Sequence, residues 1–475
     1  MERASEAVAR ECARSIVAVP LRGERVVVLC GTGNNGGDGF GAARLLRHSP
    51  LVGNVTVLLL GAREKVAGDA ARMLGRLEAE GEAVATVEDT GGLEPLRGAT
   101  LVVDALFGTG LSRPLEESSL PADAARLASS GRAFVVSVDV PSGLDSGSGL
   151  CDAPHVRADA TVTFGFPKLA HLVAPAAGSC GRVTVADIGL LPPNGDDVAP
   201  EAVTARDVAP LFPRRPAGAH KGTFGTLGVV GGAVGMAGAA ALAARAAFRC
   251  GAGKVVVVAA EDTRPSIHAL VAEATTAGSI PGTGLTALAV GPGLGMSSAS
   301  RELLDAALAA ALPTVLDADA LNLLAGRPGV LRGRTVATVL TPHPGEASRL
   351  LGVPTAEVTA DPERAASRLA DLSGAVVVLK GFRSVVAAPG GRTARVLAGN
   401  PGMASGGTGD VLTGAVGALL ARGLPAWDAA AAGAFLHGLA GDLVRERVGE
   451  ETLAASDVAE ALGEAFLITR ESRLP

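Results

Sequence analysis

Short runs of β-branched and aliphatic residues recur along this chain, and most end in a glycine-rich loop just before an Ala/Leu/Arg-rich stretch. That order constrains the fold more than any other feature. Continuous apolar strands alternating with helices bury themselves as a parallel sheet covered on both faces. The runs Arg25–Cys30, Val55–Leu60, Leu101–Leu106, Phe134–Val140, Ala160–Phe164 and Arg182–Ala186 read as strands of a first sheet, with helices over stretches such as Gly68–Gly81 and Pro121–Ser130. The alternation restarts at Thr226–Val230 and continues through Lys254–Ala259, Ala287–Val290, Thr314–Asp317, Val336–Leu340, Val376–Leu379 and Ser384–Ala388. At 475 residues the chain exceeds one core. Pro, Gly and Asp cluster between Leu190 and Pro216, as in linkers. The expectation is α/β: two three-layer α/β/α domains over residues 1–195 and 217–475, joined by a linker over 196–216.

Composition removes several function classes. Net charge is -6 without a Lys/Arg block, which argues against nucleic acid and anionic membranes. Aromatics make up 3%, with no Tyr, so base-stacking platforms for single strands are not expected. The five cysteines, Cys12, Cys30, Cys151, Cys180 and Cys250, are scattered and read as free thiols rather than a disulfide framework or zinc site. No apolar stretch is long enough to span a bilayer and no leader is visible, so a cytoplasmic location is expected.

Near the C-terminus, Ser405-Gly406-Gly407-Thr408-Gly409-Asp410 runs directly into the apolar stretch Val411–Val416. Small residues let the backbone turn and expose its N–H groups, and a helix starting there adds a dipole that favours an anion. An Asp among such donors can take a proton from a hydroxyl while the donors hold a phosphate. The bland alternative is a glycine-rich loop with Asp as an ordinary helix cap. The chain has only five lysines, Lys65, Lys168, Lys221, Lys254 and Lys380, against a background of Arg. Lys380 ends the run Val376–Leu379, a suitable place for a point charge aimed at phosphate. His343 sits between Pro342 and Pro344 in a rigid loop, and could be structural or presented to a ligand. No GxxxxGK[ST] occurs, so a P-loop is excluded. These residues alone suggest a kinase of a small hydroxyl compound.

In the first half, Arg25–Cys30 leads into Gly31-Thr32-Gly33-Asn34-Asn35-Gly36-Gly37-Asp38-Gly39, with a helix expected from about Phe40. The pattern contains GxGxxG, yet the next strand ends at Gly61 without an acid for a ribose, and Asn34, Asn35 and Asp38 are more polar than a plain pyrophosphate turn needs. Two further strand-end loops follow, Asp104–Leu111 and Val138–Asp145. Asn35, Asp104 and Ser142 offer oxygen ligands for a hard cation, and Asp139 is a candidate acid/base. Each Asp alone reads equally as a turn residue.

GNNGGDG, DALFGTGL and DVPSGLD, in this order, resemble the NAD(P)H-hydrate epimerase domain, whose fold is Rossmann-like. The resemblance implies substrate contacts at Asn34, Asn35, Gly36, Gly37, Asp38, Gly108, Thr109, Gly110, Leu111, Ser112, Arg113, Pro114 and Asp139. It implies potassium at Asn35, Asp104 and Ser142, and proton transfer by Asp139. Lys168 matches the family pattern without an assigned role. Met1–Ala4 resembles the interior of a family helix, so a shortened first helix is expected.

In the second half, HKGTFG, the segment Gly231–Ala240, VGPGLG, LDADALN, LTPHPGE, LKG and NPGMASGGTGDVL resemble the ADP/ATP-dependent NAD(P)H-hydrate dehydratases, which are ribokinase-like. That resemblance implies hydrate contacts at Ala239, Gly293, Gly295, His343 and Asp410, and nucleotide contacts at Lys380, Gly381, Phe382, Arg383, Ser384 and Gly409. Asp410 becomes the base, ADP the phosphoryl donor and magnesium the counter-ion. The implied substrates are the hydrates NADHX and NADPHX, in a homo-oligomer. Ala233 and Ser384 depart from the residues usual in the family. A ribokinase-type kinase carrying a non-catalytic nucleotide-binding N-terminal domain is the alternative. An ordinary NAD oxidoreductase is disfavoured, because no hydride-transfer centre accompanies the loop.

Overall fold

Alternate residues of a single strand feed two separate cores. Val26, Val28 and Cys30 pack with Val8, Ile16, Phe40 and Met73, while Val27 and Leu29 pack with Leu93, Leu96, Ala124 and Ala128. The first set comes from helices Glu2–Ala18, Asn34–Arg47 and Gly68–Ala79, and the second from the 3-10 segment Thr90–Gly98 and helix Leu120–Ser130. A strand buried on both faces must be apolar throughout, which is why these strands read as uninterrupted aliphatic runs. The structure, a computed structural model, describes residues 1–111, 113–147, 149–190 and 201–471.

The chain divides into compact units Met1–Asp197 and Val198–Pro475. In the first, β1 (Arg25–Cys30), β2 (Asn54–Leu60), β3 (Val84–Val87), β4 (Leu101–Ala105), β5 (Phe134–Val138), β6 (Ala160–Phe164) and β7 (Arg182–Ala186) form a parallel sheet in the order 3-2-1-4-5-6-7. The order reverses between β1 and β4, and ligands of such sheets sit at the carboxyl ends of the strands flanking that reversal.

In the second unit the strands are β8 (Glu201–Val203), β9 (Thr226–Val230), β10 (Lys254–Val258), β11 (Thr275–Ala277), β12 (Ala287–Val290), β13 (Thr314–Leu316), β14 (Thr338–Leu340), β15 (Val376–Leu379), β16 (Val385–Ala387) and β17 (Thr393–Val396). Their order is 11-10-9-12-13-14-15-16-17-8, and β16 is antiparallel to both of its neighbours. Helices Ala237–Arg249, Thr408–Ala421, Ala426–Val448 and Ala455–Glu471 cover one face, and Ser298–Ala309, Pro344–Leu351 and Pro362–Ser373 cover the other. Here the reversal falls between β9 and β12.

Part of the expected linker belongs to this second sheet. Glu201–Val203 pairs in parallel with β17, and Thr204 caps a one-turn helix, Ala205–Val208. Three residues half-buried at a sheet edge carry too little pattern to stand out among prolines. Residues 191–200, which hold the expected 195/196 boundary, lie outside the described residues. All five cysteines are free. No helix among the described residues is long and apolar enough to cross a membrane.

Candidate active sites

In the first unit the helix expected near Phe40 starts at Asn34, so GNNGGDG forms its opening turns rather than a loop. A β-carbon at Gly36 would lie 1.8 Å from the Gly31 carbonyl oxygen, so only glycine lets the helix close onto the end of β1. Interior glycines cost a helix about 1 kcal/mol each, which hides this one in the sequence. Asn35 and Asp38, three residues apart, share a helix face. Asn35 Nδ2 and Asp38 Oδ1 are buried without a hydrogen-bond partner. A buried polar atom left unpaired costs about 1–3 kcal/mol, so these two mark where a polar ligand belongs. A β-carbon at Gly108 would lie 3.0 Å from both Asn35 Oδ1 and Asp139 Oδ2, so the segments after β1, β4 and β5 meet there.

Asp139 holds a left-handed backbone, φ 66°. Its Oδ1 accepts from Lys168 Nζ at 2.7 Å and Thr163 Oγ1 at 3.0 Å, and its Oδ2 from the Thr109 N–H at 3.2 Å. Burial works to raise its pKa, but the Lys168 charge and these hydrogen bonds outweigh it and hold the carboxyl below its usual range. Lys168, unassigned from the sequence, is thus the counter-charge of Asp139. His171, buried, accepts the Lys168 N–H at Nδ1 and lies 3.0 Å from the Asp139 carbonyl oxygen through Nε2, which fixes the ring as the Nε2–H tautomer. Asp38 sits at the opposite extreme. Burial pushes its carboxyl up to about 7, the chain's terminal amine opposing and the Asp139 charge adding to the rise.

Asp104 is fully buried, with Oδ1 accepting from Ser142 Oγ at 2.6 Å and Oδ2 from Ser137 Oγ at 2.8 Å and the Ser142 N–H at 2.9 Å. Burial still raises its pKa, and no Lys or Arg pairs with it among the described residues. A buried carboxylate without a cation, beside the Ser137 and Ser142 hydroxyls and, through Ser142, the Phe107 carbonyl oxygen, is a donor set that fits a weakly hydrated monovalent ion. Gly110, Arg113 and Pro114 are exposed, and Ser112 lies outside the described residues.

In the second unit, helix Thr408–Ala421 begins at Gly407, whose φ of 92° a side chain would resist, and no side chain caps it. Asp410 is therefore not the cap; it sits in the first turn, beside N–H groups left open to an anion. Lys380 Nζ donates to Asp317 Oδ1 at 2.7 Å and lies 3.7 Å from Glu346 Oε2. Thr413 Oγ1 donates to Asp317 Oδ2 at 2.6 Å, and the Gly295 N–H to Asp319 Oδ2 at 2.8 Å. A β-carbon at Gly409 would lie 3.3 Å from Lys380 Nζ, which places the ammonium at the mouth of the helix. Burial works to lower the Lys380 pKa, but Asp317, Glu346 and Asp410 raise it overall and hold the ammonium charged. Burial, and then the charge of Asp317, push Asp410 up to about 7 despite Lys380, with Asp319 and Glu346 adding to the rise. Four carboxyls against one ammonium leave an excess of negative charge, the electrostatic need that a nucleotide-bound divalent cation meets.

Ala239 and Gly293 lie together, since a β-carbon at Gly293 would be 3.2 Å from the Ala239 methyl. His343 caps helix Pro344–Leu351, its Nδ1 accepting the Gly345 N–H while Glu346 accepts the His343 N–H at 2.8 Å. Its structural role is real, and the half-exposed ring holds Nε2 3.5 Å from Glu346 Oε1. Gly381 and Phe382 are exposed, whereas Arg383 turns inward and donates to the Leu397 carbonyl. Sequence reasoning passed over Asp317, Asp319, Glu346 and Thr413. For the three acids the signal lay in the quoted LDADALN and LTPHPGE, whereas Thr413 carried none; in the structure Ala318, between the two Asp residues, takes a left-handed φ of 47°.

Fold and sites together define a two-domain α/β enzyme with a nucleotide-type anion cradle in the second unit. A family model described as NAD(P)H-hydrate dehydratase matches residues 227–463, and one described as YjeF-related protein N-terminus matches residues 1–170. The bifunctional NAD(P)H-hydrate repair enzyme Nnr of Thermofilum pendens is 38% identical over 492 residues, covering 99% of this chain and 92% of that protein. The Escherichia coli protein of the same name is also 38% identical, covering 92% of this chain and 84% of its own. The crystal structure of ADP/ATP-dependent NAD(P)H-hydrate dehydratase from Bacillus subtilis, co-crystallized with ATP/Mg2+, has a TM-score of 0.54 and 33% identity, covering 57% of this chain and 99% of that one. The chain belongs to the family of bifunctional NAD(P)H-hydrate repair enzymes.

Proposed function

We propose that the two sites perform successive steps in the repair of hydrated nicotinamide nucleotides. The first unit interconverts the R and S epimers of NAD(P)H hydrate, and the second dehydrates the S epimer at the expense of ADP. The observation that carries the second step is Asp410, raised to about 7 beside an uncapped helix N-terminus and Lys380.

In the second unit Asp410 takes the proton of the hydrate hydroxyl, and the freed oxygen attacks the terminal phosphoryl group of ADP, releasing AMP. The N–H groups of the Gly409 turn and Lys380 hold the transferring phosphoryl group. Phosphate then leaves C6 with the bonding pair, helped by the ring nitrogen lone pair, and loss of a C5 proton completes NAD(P)H. Asp319 and Glu346 are the carboxylates suited to magnesium, which neutralises phosphate charge when bound. Asp317, held by Lys380 and Thr413, keeps the ammonium in place.

In the first unit, epimerisation at C6 needs one group to accept a proton and another to supply one. Asp38, whose proton burial retains up to about pH 7, protonates the C6 hydroxyl as the C6–O bond breaks and water leaves, the ring nitrogen lone pair forming the iminium. Water then adds to C6 from the other face and gives its proton to Asp139, kept ionised by Lys168. Asn35, Asp104 and Ser142 would hold potassium, which would supply the positive charge that the buried Asp104 carboxyl lacks.

The test is to incubate the protein with mixed R/S NADH hydrate and ADP and follow the return of dihydronicotinamide absorbance. Full recovery supports both steps. Recovery of only the S fraction overturns the epimerase assignment. No recovery with either ADP or ATP overturns the whole reading.

A further inference from the structure

Helix Ala426–Val448 carries two side chains that the chemistry above does not use, His437 and Asp442, and both reach the segment that leads into the Gly407 turn. Asp442 is 2% exposed. Its Oδ2 accepts the Gly399 N–H at 2.9 Å and its Oδ1 accepts from Asn400 Nδ2 at 3.0 Å, while Asn400 Oδ1 accepts the Gly402 N–H at 3.1 Å. A buried carboxylate costs stability unless strong donors meet it, and here both oxygens are given to the segment 397–407. The His437 ring makes a hydrogen bond to the Thr408 backbone. Its Nε2 is buried without a partner, so that bond falls to Nδ1. Burial drives the ring's pKa down to about 4 despite Thr408, with the Lys380 charge adding to the fall, so the ring acts as a neutral donor. His437 and Gly441, like Gly438 and Asp442, are four residues apart and share a helix face. The two glycines let that face approach closely. A β-carbon at Gly438 would lie 2.6 Å from the Ala398 carbonyl oxygen, and one at Gly441 2.2 Å from Met403 Sδ. Thr408 Oγ1 closes the segment by donating to the Met403 carbonyl at 2.8 Å. A β-carbon at Gly406 would meet nothing within 4 Å, so the turn is held on one side and open on another.

We propose that Asp442 and His437 are positioning residues for phosphoryl transfer, holding the segment 397–408 so that the N–H groups of the Gly407–Gly409 turn are aimed at the transferring group before the nucleotide arrives. The inference rests on the dehydratase reading above. Helix Thr408–Ala421 has no side-chain cap, and glycine at its start accepts many backbone angles, so nothing local to the turn fixes where its N–H groups point. Donors fixed beforehand stabilise developing charge at no cost of reorganisation, whereas donors that must first turn lose much of that value. The neighbouring helix supplies the missing constraint. Neither residue touches nucleotide or hydrate, and neither moves a proton in the reaction.

The test uses the full chain with Asp442→Asn, His437→Leu and His437→Asn. Asp442→Asn and His437→Leu should each lower kcat for dehydration of the S hydrate with ADP by about tenfold to a hundredfold, the scale of a small misplacement of reacting groups, with the hydrate KM unchanged. His437→Asn keeps an N–H donor near the Nδ1 position and should restore most of the rate. In calorimetric titrations of hydrate-free protein, both impaired variants should bind ADP about fivefold more weakly, the worth of one hydrogen bond. AMP, which lacks the transferred group, should bind wild type and variants equally. A kcat within about twofold of wild type in Asp442→Asn and His437→Leu overturns the proposal. So does AMP binding that weakens as much as ADP binding, because that marks a distorted domain. His437→Asn no better than His437→Leu refutes the role given to His437. Should Asp442→Asn fail to fold, the contrast between the two His437 variants decides. A wild type inactive on hydrate that still binds ADP more tightly than its variants, with AMP unaffected, would keep the positioning role and sink the dehydratase reading.

Discussion

Replacing Asp410 by Asn should make the second unit more stable and inactive in one step. The Asp410 carboxyl is pushed from 3.8 up to about 7 by burial and by neighbouring carboxylates. A carboxyl that holds its proton more tightly when folded lowers stability wherever the unfolded chain has released that proton. The penalty is absent below pH 3.8, builds as pH rises towards about 7, and is fully present above it. At about 1.4 kcal/mol per tenfold change in proton affinity, the gross value is about 4 kcal/mol. Asp410 is partly open to solvent, and screening reduces this to about 2 kcal/mol. Asn keeps the shape and removes the charge. The nucleotide-free variant should therefore melt about 4 °C higher than wild type at pH 8 in the second unit's transition, with the gain vanishing near pH 4. Differential scanning calorimetry at the two pH values measures this, with ADP added separately to identify which transition belongs to the second unit. An unchanged or lower melting temperature at pH 8, or the same gain at both pH values, would refute the electrostatic argument. Dehydratase activity surviving in the variant would refute the base assignment.

The two activities should respond to pH in opposite directions. The epimerase uses neutral Asp38, so its kcat/KM falls as pH rises through about 7, while the dehydratase needs ionised Asp410 and its kcat/KM rises through the same region. Initial rates on separated epimers between pH 5.5 and 9 decide it, and a common direction contradicts the assignments. Lys168→Met removes the cation that keeps Asp139 ionised, so the acid limb of the epimerase profile should move up and the rate at neutral pH should fall about a hundredfold. Dehydration of the pure S hydrate is the control for folding of the other unit. Replacing potassium by tetramethylammonium should lower the epimerase rate and the melting temperature of the first unit, and Asp104→Asn should abolish both responses to the ion. Equal ion sensitivity in wild type and variant would remove Asp104 from the cation site.

Legibility followed burial. β1, β6, β7, β9, β12 and β15 coincide with their aliphatic runs, because most of these strands are covered on both faces and their sequence has no polar alternation to confuse. β3, β8, β11 and β17 escaped notice, being three or four residues long and lying towards the sheet edges, where half-exposed positions admit Thr, Glu and Arg. The helix start at Asn34 escaped because glycine opposes helix locally, and only the approach to Gly31 explains why it is there. Asp317, Asp319 and Glu346 were in view as motif letters, but nothing in a linear string says that Lys380 and Thr413 converge on Asp317.

The sequence by itself determined the kinds of chemistry this protein carries. Glycine-rich turns and carboxylates fall at strand ends, and strand ends in a parallel sheet are where loops from distant segments gather. What only the tertiary structure decided is the protonation of those carboxylates. Asp38, Asp104, Asp139 and Asp410 are the same residue type, yet Asp139 is held ionised by Lys168 while the other three are raised by burial. A carboxyl's affinity for its proton depends on the charges and solvent within a few ångströms, and those neighbours come from far along the chain.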